Sequence, residues 1–76
     1  DDIIGDYTCI SGGVSISGGV KIGMSCYIGT NASIIGNLTI GDRCLVGMGS
    51  VVLHDISDNT IVAGNPAKAL RYTITQ

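Results

Sequence analysis

The stretch from Ile4 to Ser57 repeats every six residues without a slip. An aliphatic residue falls at Ile4, Ile10, Ile16, Ile22, Ile28, Ile34, Ile40, Val46 and Val52. The following position is Gly at Gly5, Gly23, Gly29, Gly41 and Gly47, and Ser at Ser11 and Ser17. Helices and alternating strands, with periods of about 3.6 and 2, cannot keep this register. A sustained six-residue period is the mark of a β-helix. Each short strand must turn sharply before the next aliphatic residue, and the Gly after it is expected to supply the φ freedom of the corner. Three sides close a triangular coil, so that Ile4, Ile22 and Ile40 stack, as do Ile10, Ile28 and Val46, and Ile16, Ile34 and Val52. Stacked coils then pair like parallel strands, about 4.8 Å apart. The fourth position after each aliphatic residue should also point inward, and it reads Thr8, Val14, Val20, Cys26, Ala32, Leu38, Cys44, Ser50 and Ile56, with no charge. The hand of the coil does not follow from periodicity, since parallel crossovers are right-handed by default.

Three coils are expected, over 4–21, 22–39 and 40–57. The organisation predicted is a β-helix over 1–57 and a closing segment over 58–76. Asp58-Asn59-Thr60 reads as a turn that breaks the repeat, Thr60–Ala63 as a last strand, and Gly64-Asn65-Pro66 as a second turn. A short helical turn is expected over Ala67–Arg71, with a loose or partner-docked end from Tyr72 to Gln76. The denser glycines Gly12, Gly13, Gly18 and Gly19 fit either tight corners or backbone brought close to a ligand.

Composition removes several functions. Four Lys and Arg against six Asp give a net charge of −2 with no basic run, which argues against a nucleic-acid partner. No apolar run is long enough to span a membrane. The chain opens on two aspartates without a Met, which points to a piece of a longer protein. Three Cys, an odd count, do not suggest a disulfide framework. Cys26 and Cys44 share one inward column, where they are either reduced core thiols or a bridged pair; free thiols suit a reducing cytoplasm. A chain this short buries about 60% of its unfolded surface and is marginal alone. Open coil ends also leave unpaired strand edges. An oligomer is therefore expected.

The repeat followed by Val62-Ala63-Gly64-Asn65-Pro66-Ala67-Lys68 resembles the hexapeptide-repeat acyltransferases. The opening is most similar to the sialic acid O-acetyltransferase family, which includes bacterial amino-sugar N-acetyltransferases. The matching residues are Asp1-Asp2-Ile3-Ile4-Gly5-Asp6, Ile10-Ser11-Gly12-Gly13-Val14 and Gly18-Gly19-Val20-Lys21-Ile22-Gly23. The resemblance implies an all-β, left-handed parallel β-helix, assembled as a homotrimer with acetyl-CoA in the cleft between neighbouring prisms. It implies an acetyl group moved to a sugar hydroxyl or amine, with a sugar or nucleotide sugar as acceptor and no metal.

The resemblance also assigns residues. The family's general base is a His followed by an acidic residue. Here the acidic residue would be Asp1, and the His would precede this chain. A base must take the acceptor's proton as it attacks the thioester, and Asp1 would orient that base. Gly18 matches the residue whose backbone N–H stabilises the oxyanion. Cys9 stands where many members carry a cofactor-touching His, although a thiol is the weaker donor. Thr30 and Met48 match backbone contacts to the cofactor. They also share a corner column with Gly12 by repeat arithmetic alone. Lys68, and less so Arg71, are candidates for the CoA phosphates. Each assignment has a plainer counterpart: a solvated terminus, corner residues or a solvated Lys. His54 reads as a solvated corner residue. Two other functions fit the same prism. One is a non-catalytic structural or assembly module. The other is a zinc enzyme of the carbonic-anhydrase type, for which one His per chain is too few ligands.

Overall fold

The computed structural model of the chain describes residues 2–72. Nine strands of two residues each, β1 to β9, are Ile3–Ile4, Cys9–Ile10, Ser15–Ile16, Lys21–Ile22, Tyr27–Ile28, Ser33–Ile34, Thr39–Ile40, Leu45–Val46 and Val51–Val52. β10 (Thr60–Ala63) and β11 (Lys68–Tyr72) follow. They build three sheets, ordered β1-β4-β7, β11-β10-β8-β5-β2 and β3-β6-β9. The pairing is parallel and in the expected register: Ile4 on Ile22 on Ile40, Ile10 on Ile28 on Val46, and Ile16 on Ile34 on Val52. Amides donate to the next coil all along the shaft, as from Gly5 to Ile22 O at 2.8 Å and from Ser11 to Ile28 O at 3.0 Å. These bonds satisfy backbone groups that would otherwise be costly to bury.

The corner glycines do a different job from the one expected. Apart from Gly64 in the last turn, the residues with positive φ are the third after each aliphatic position: Tyr7, Gly13, Gly19, Ser25, Asn31, Asn37, Arg43, Gly49 and Asn59. Asn and Gly enter this left-handed region most easily. The Gly directly after the aliphatic residue has ordinary φ, and its value is steric. A Cβ on Gly29 would lie 2.5 Å from Met48 N, and one on Gly41 would lie 2.6 Å from Asp58 N. Those positions are small because the coil above passes over them.

The repeat shortens once, near its end. Ile56 bridges to Ile40, and Val62 pairs with Val46, so the spacing there is sixteen residues. The inter-coil bonds shift with it, from Gly41 N to Ile56 O and from Gly47 N to Val62 O, both short of the earlier spacing by two. Two residues are missing from the side that carries Val52, Leu53, His54 and Asp55. Ile56 therefore opens a fourth, partial coil on the first side, and does not sit over Leu38 as the unbroken repeat predicts. The break thus comes before Asp58-Asn59, which form an ordinary corner, and Thr60 already begins β10.

β11 is a strand, not the helical turn expected over Ala67–Arg71. It pairs antiparallel with β10, from Thr60 opposite Tyr72 to Ala63 opposite Lys68, with a bulge at Ile61/Val62. Lys, Ala, Leu and Arg favour helix weakly, but the unpaired edge of β10 offers a full set of backbone bonds. The intervening turn folds back onto β9: Val51 N–H donates to Gly64 O at 2.9 Å and Ala67 N–H donates to Val51 O at 2.7 Å. Of the loose or partner-docked end expected from Tyr72 to Gln76, Tyr72 is instead paired in β11 opposite Thr60, and 73–76 lie outside the described residues.

The core is the stacked aliphatic columns, with Ile28, Ile34, Ile40, Val20, Val46 and Val52 fully buried. One inward column is polar. Thr8 Oγ1 donates to Gly23 O at 2.7 Å, Cys26 Sγ to Gly41 O at 3.0 Å, and Cys44 Sγ to Ser57 O at 3.1 Å. All three cysteines are free thiols. Burial pushes the Cys44 thiol above its ordinary pKa, because the thiolate would lose its hydration.

Candidate functional site

Stacking turns each corner of the triangle into a column of turns. The first corner carries Asp6, Met24, Asp42 and Asp58; the second, Gly12, Thr30 and Met48; the third, Gly18 and Gly36. The inter-coil bonds confirm the columns: Arg43 N–H donates to Met24 O at 2.9 Å, Gly49 N–H to Thr30 O at 2.8 Å, and Asn37 N–H to Gly18 O at 3.0 Å. Carbonyls at every corner are used in this way. The corner N–H groups differ.

At the first corner, aspartates from the coil above take the Met24 and Asp42 donors, while the Asp6 and Asp58 N–H groups have no acceptor among the described residues. Met24 N–H donates to Asp42 Oδ1 at 2.9 Å, and Asp42 N–H donates to Asp58 Oδ1 at 2.7 Å. Asp55 caps the Thr39 N–H from the coil above, and Asp2 caps the Val20 N–H from the coil below. At the second and third corners, the N–H groups of Gly12, Thr30, Met48, Gly18 and Gly36 have no acceptor among the described residues. Gly12, Thr30, Met48 and Gly18 are also exposed. A Cβ on Gly12 or Gly18 would meet nothing within 4 Å. The glycine-rich stretch therefore divides. Gly13 and Gly19 take the left-handed turn conformation, and Gly12 and Gly18 leave bare backbone open to solvent. Sequence reasoning missed the aspartate caps. The signal was present as an Asp following a corner residue by one coil.

The structure brings some of the expected residues together and separates others. Thr30 and Met48 share the second corner. Cys9 is exposed on β2, on the sheet leading into that corner, and stacks on Tyr27, which stacks on Leu45. Lys68 is exposed at the start of β11, opposite Ala63, which in turn lies over Gly47. Lys68 thus stands one step beyond the Met48 end of the column. Gly18 is on the third corner, with the β3-β6-β9 sheet between it and the others. Asp1 lies outside the described residues.

His54 is exposed on the shortened side. With Leu53, Asp55, Ser57, Thr60 and Ala67 it lines a cavity of about 220 Å³ at the C-terminal end of the shaft. Among the described residues no group of three or more His, Cys, Asp or Glu could hold a metal. No helix among them is long and apolar enough to cross a membrane.

Residues 19–54 match the family pattern described as bacterial transferase hexapeptide (six repeats). The chain belongs to the hexapeptide-repeat acyltransferase family. Serine acetyltransferase 2 of Arabidopsis thaliana is 39% identical over 91% of the chain and 26% of that protein. The serine acetyltransferase of Neisseria gonorrhoeae superposes with a TM-score of 0.93 at 35% identity, over 99% of the chain and 32% of its own. PerB of Caulobacter crescentus, solved in complex with CoA and GDP-perosamine, superposes with a TM-score of 0.92 at 32% identity, over 93% of the chain and 34% of its own. These neighbours fix the hand, since they are left-handed β-helix acetyltransferases. The fold is thus a left-handed parallel β-helix of about three coils, closed by a hairpin. The chain spans about a quarter to a third of the relatives it matches.

Proposed function

We propose that this chain is the β-helix portion of an acetyltransferase that takes its acetyl group from acetyl-CoA. The observation that carries this is the second corner: a straight, exposed column in which the Gly12, Thr30 and Met48 amides stand without acceptors. An extended ligand with oxygen acceptors, such as the pantetheine arm of CoA, suits donors repeating at the coil spacing of about 4.8 Å. CoA is bound in PerB, a structure of the same fold. Lys68, beyond the end of the column, would meet the negative charge of the CoA phosphates. The exposed thiol of Cys9 would lie beside the pantetheine arm.

The reaction proposed is direct transfer. An acceptor hydroxyl or amine attacks the thioester carbonyl, a C–O or C–N bond forms, the C–S bond breaks, and CoA leaves as its thiol. The base that takes the acceptor's proton would be a His immediately before Asp1 in the longer protein, with Asp1 holding its imidazole. The Gly18 N–H, which is free and exposed, would bind the developing oxyanion.

Gly18 and the Thr30–Met48 column lie on different corners of one prism. A single site containing both requires that the third corner of one chain face the second corner of another. A homotrimer of prisms supplies that arrangement, and the exposed Tyr27 and Leu45 beside the second corner give it an apolar face to bury. We propose a sugar or nucleotide sugar as the acceptor, in line with the resemblance of Asp1–Gly23 to the amino-sugar enzymes and with the GDP-perosamine bound by PerB. Serine is the competing acceptor, favoured by the 39% identity to the Arabidopsis serine acetyltransferase. We propose a cytoplasmic location as well, in line with the free thiols.

Isothermal titration of CoA into the chain, with its assembly state checked by light scattering, tests the groove. Binding by the trimer is expected; a confirmed trimer that takes up no CoA contradicts it and favours a purely structural prism. Adding back the native segment before Asp1 tests the chemistry. Acetyl transfer to an amino sugar is the expected result, and transfer to serine alone would overturn the acceptor.

A further inference from the structure

The first and second corners have the same backbone. Both place the third residue of the turn at positive φ, at 57° for Ser25 and Arg43 and at 61° and 69° for Asn31 and Gly49. Both pass the corner carbonyl to the next coil, Met24 O at 2.9 Å and Thr30 O at 2.8 Å. They differ in what the next coil places over the corner N–H. Asp42 stands over Met24 and accepts its N–H at 2.9 Å. Met48 stands over Thr30 and accepts nothing; its side chain is 79% exposed. The pattern repeats elsewhere. Asp58 caps Asp42 at 2.7 Å. Asp6, with Met24 over it, and Gly18, with Gly36 over it, have N–H groups without an acceptor among the described residues.

We infer that the residue one coil further on decides whether a corner can receive a ligand, and that Met48 is the specificity-determining residue that keeps the Thr30 N–H free for an amide carbonyl oxygen of an extended ligand. This rests on the CoA groove proposed above, which it deepens. A thioether is a poor acceptor for an amide N–H, so Met at this position leaves the donor open where Asp would close it. The aspartates of the first corner do the reverse. Asp42 and Asp58 satisfy the Met24 and Asp42 donors within the chain and make that part of the corner structural. The difference between a binding corner and a structural corner is then one side chain, not a change of fold.

The test is Met48→Asn on this chain. Asn offers a neutral Oδ1 at the height of the Asp42 carboxylate, so it can cap Thr30 without adding a charge that repels phosphate. Met48 is exposed and already has a Cβ, so the fold should tolerate the change. Two readings are made: solvent exchange of the Thr30 amide by NMR, and CoA affinity by titration. We expect Thr30 exchange to slow about tenfold and CoA affinity to fall about tenfold, the effect of one hydrogen bond gained internally and lost to the ligand. Met48→Ala, which has no acceptor, should leave Thr30 exchange unchanged and lose less CoA affinity than Met48→Asn. Asp42→Ala should speed Met24 exchange.

Unchanged Thr30 exchange in Met48→Asn overturns the capping rule. Loss of CoA affinity in Met48→Ala equal to that in Met48→Asn overturns it as well, since the thioether itself would then be the contact. Slowed exchange with full CoA affinity overturns the ligand role of the Thr30 amide. Absence of CoA binding in the unsubstituted chain is a separate failure, that of the groove.

Discussion

The two ends of the shaft are built from the same repeat and end differently. Ile4 and Ile40 belong to one column, yet Ile4 is 46% exposed and Ile40 is 1% exposed. In the first coil Ile3 and Ile10 are exposed as well, and β1, β2 and β3 each keep one edge unpaired within the described residues. At the other end, the coil shortens, Ile56 covers Ile40, β11 pairs the edge of β10, and the Gly64–Ala67 turn ties down β9. A hexad position is therefore a core position only where a further coil lies over it. What finishes a β-helix is a departure from the repeat, because an unbroken repeat always presents another edge.

The largest expected effect comes from cutting the same column at each end. Ile40→Ala should cost about 2–5 kcal/mol, the range for a large-to-small change in a packed core. Ile4→Ala should cost about 1 kcal/mol or less, since much of its surface is already in water. Urea denaturation of both variants measures the gap, and equal losses would show that both ends are covered. Next is the steric demand on glycine. Gly41→Ala places a Cβ against Asp58 N at 2.6 Å and should cost about 1–3 kcal/mol by overpacking. Gly12→Ala has open space and ordinary φ, so its melting temperature should stay close to that of the unsubstituted chain.

The legibility of the chain follows the same division. The aliphatic columns were readable because one short period constrained nine positions at once. Every strand pairing from β1 to β9 agreed with it. The shortening was not readable by that route. Ile56 is aliphatic and falls on an inward position whether or not two residues are missing, so the pattern could not tell the cases apart. The distinguishing signal was the likeness of Ile56-Ser57-Asp58 to Ile40-Gly41-Asp42 at a spacing of sixteen. The strand at Lys68–Tyr72 was hidden because helix-favouring residues were recruited by the edge of β10, a tertiary demand no local window shows. At the site, repeat arithmetic placed Thr30 and Met48 together. The same arithmetic puts Gly18, six residues after Gly12, on the next corner, one sheet away.

Smaller effects sharpen the contrast. Asp58→Ala removes the cap on Asp42 N–H and should cost about 1 kcal/mol, as for an exposed capping carboxylate. Asp6→Ala removes a side chain that caps no amide among the described residues and should be neutral in the same denaturation assay. The smallest effect is on pH dependence. The folded state holds the Cys44 proton more tightly than the unfolded state, because burial raises its pKa. Its contribution is complete below the ordinary thiol pKa and is lost as pH rises through the folded value. Stability should therefore fall with alkaline pH more steeply in the unsubstituted chain than in Cys44→Ala.

The central claim is that the second corner is the ligand column and the capped Met24–Asp42 stretch of the first corner a closed structural one. Amide chemical shifts of the labelled chain, recorded during titration with CoA, test it directly. The account predicts that Gly12, Thr30 and Met48 shift in proportion to CoA while Met24 and Asp42 stay in place. Shifts concentrated at Met24 and Asp42, with the second corner silent, would contradict it.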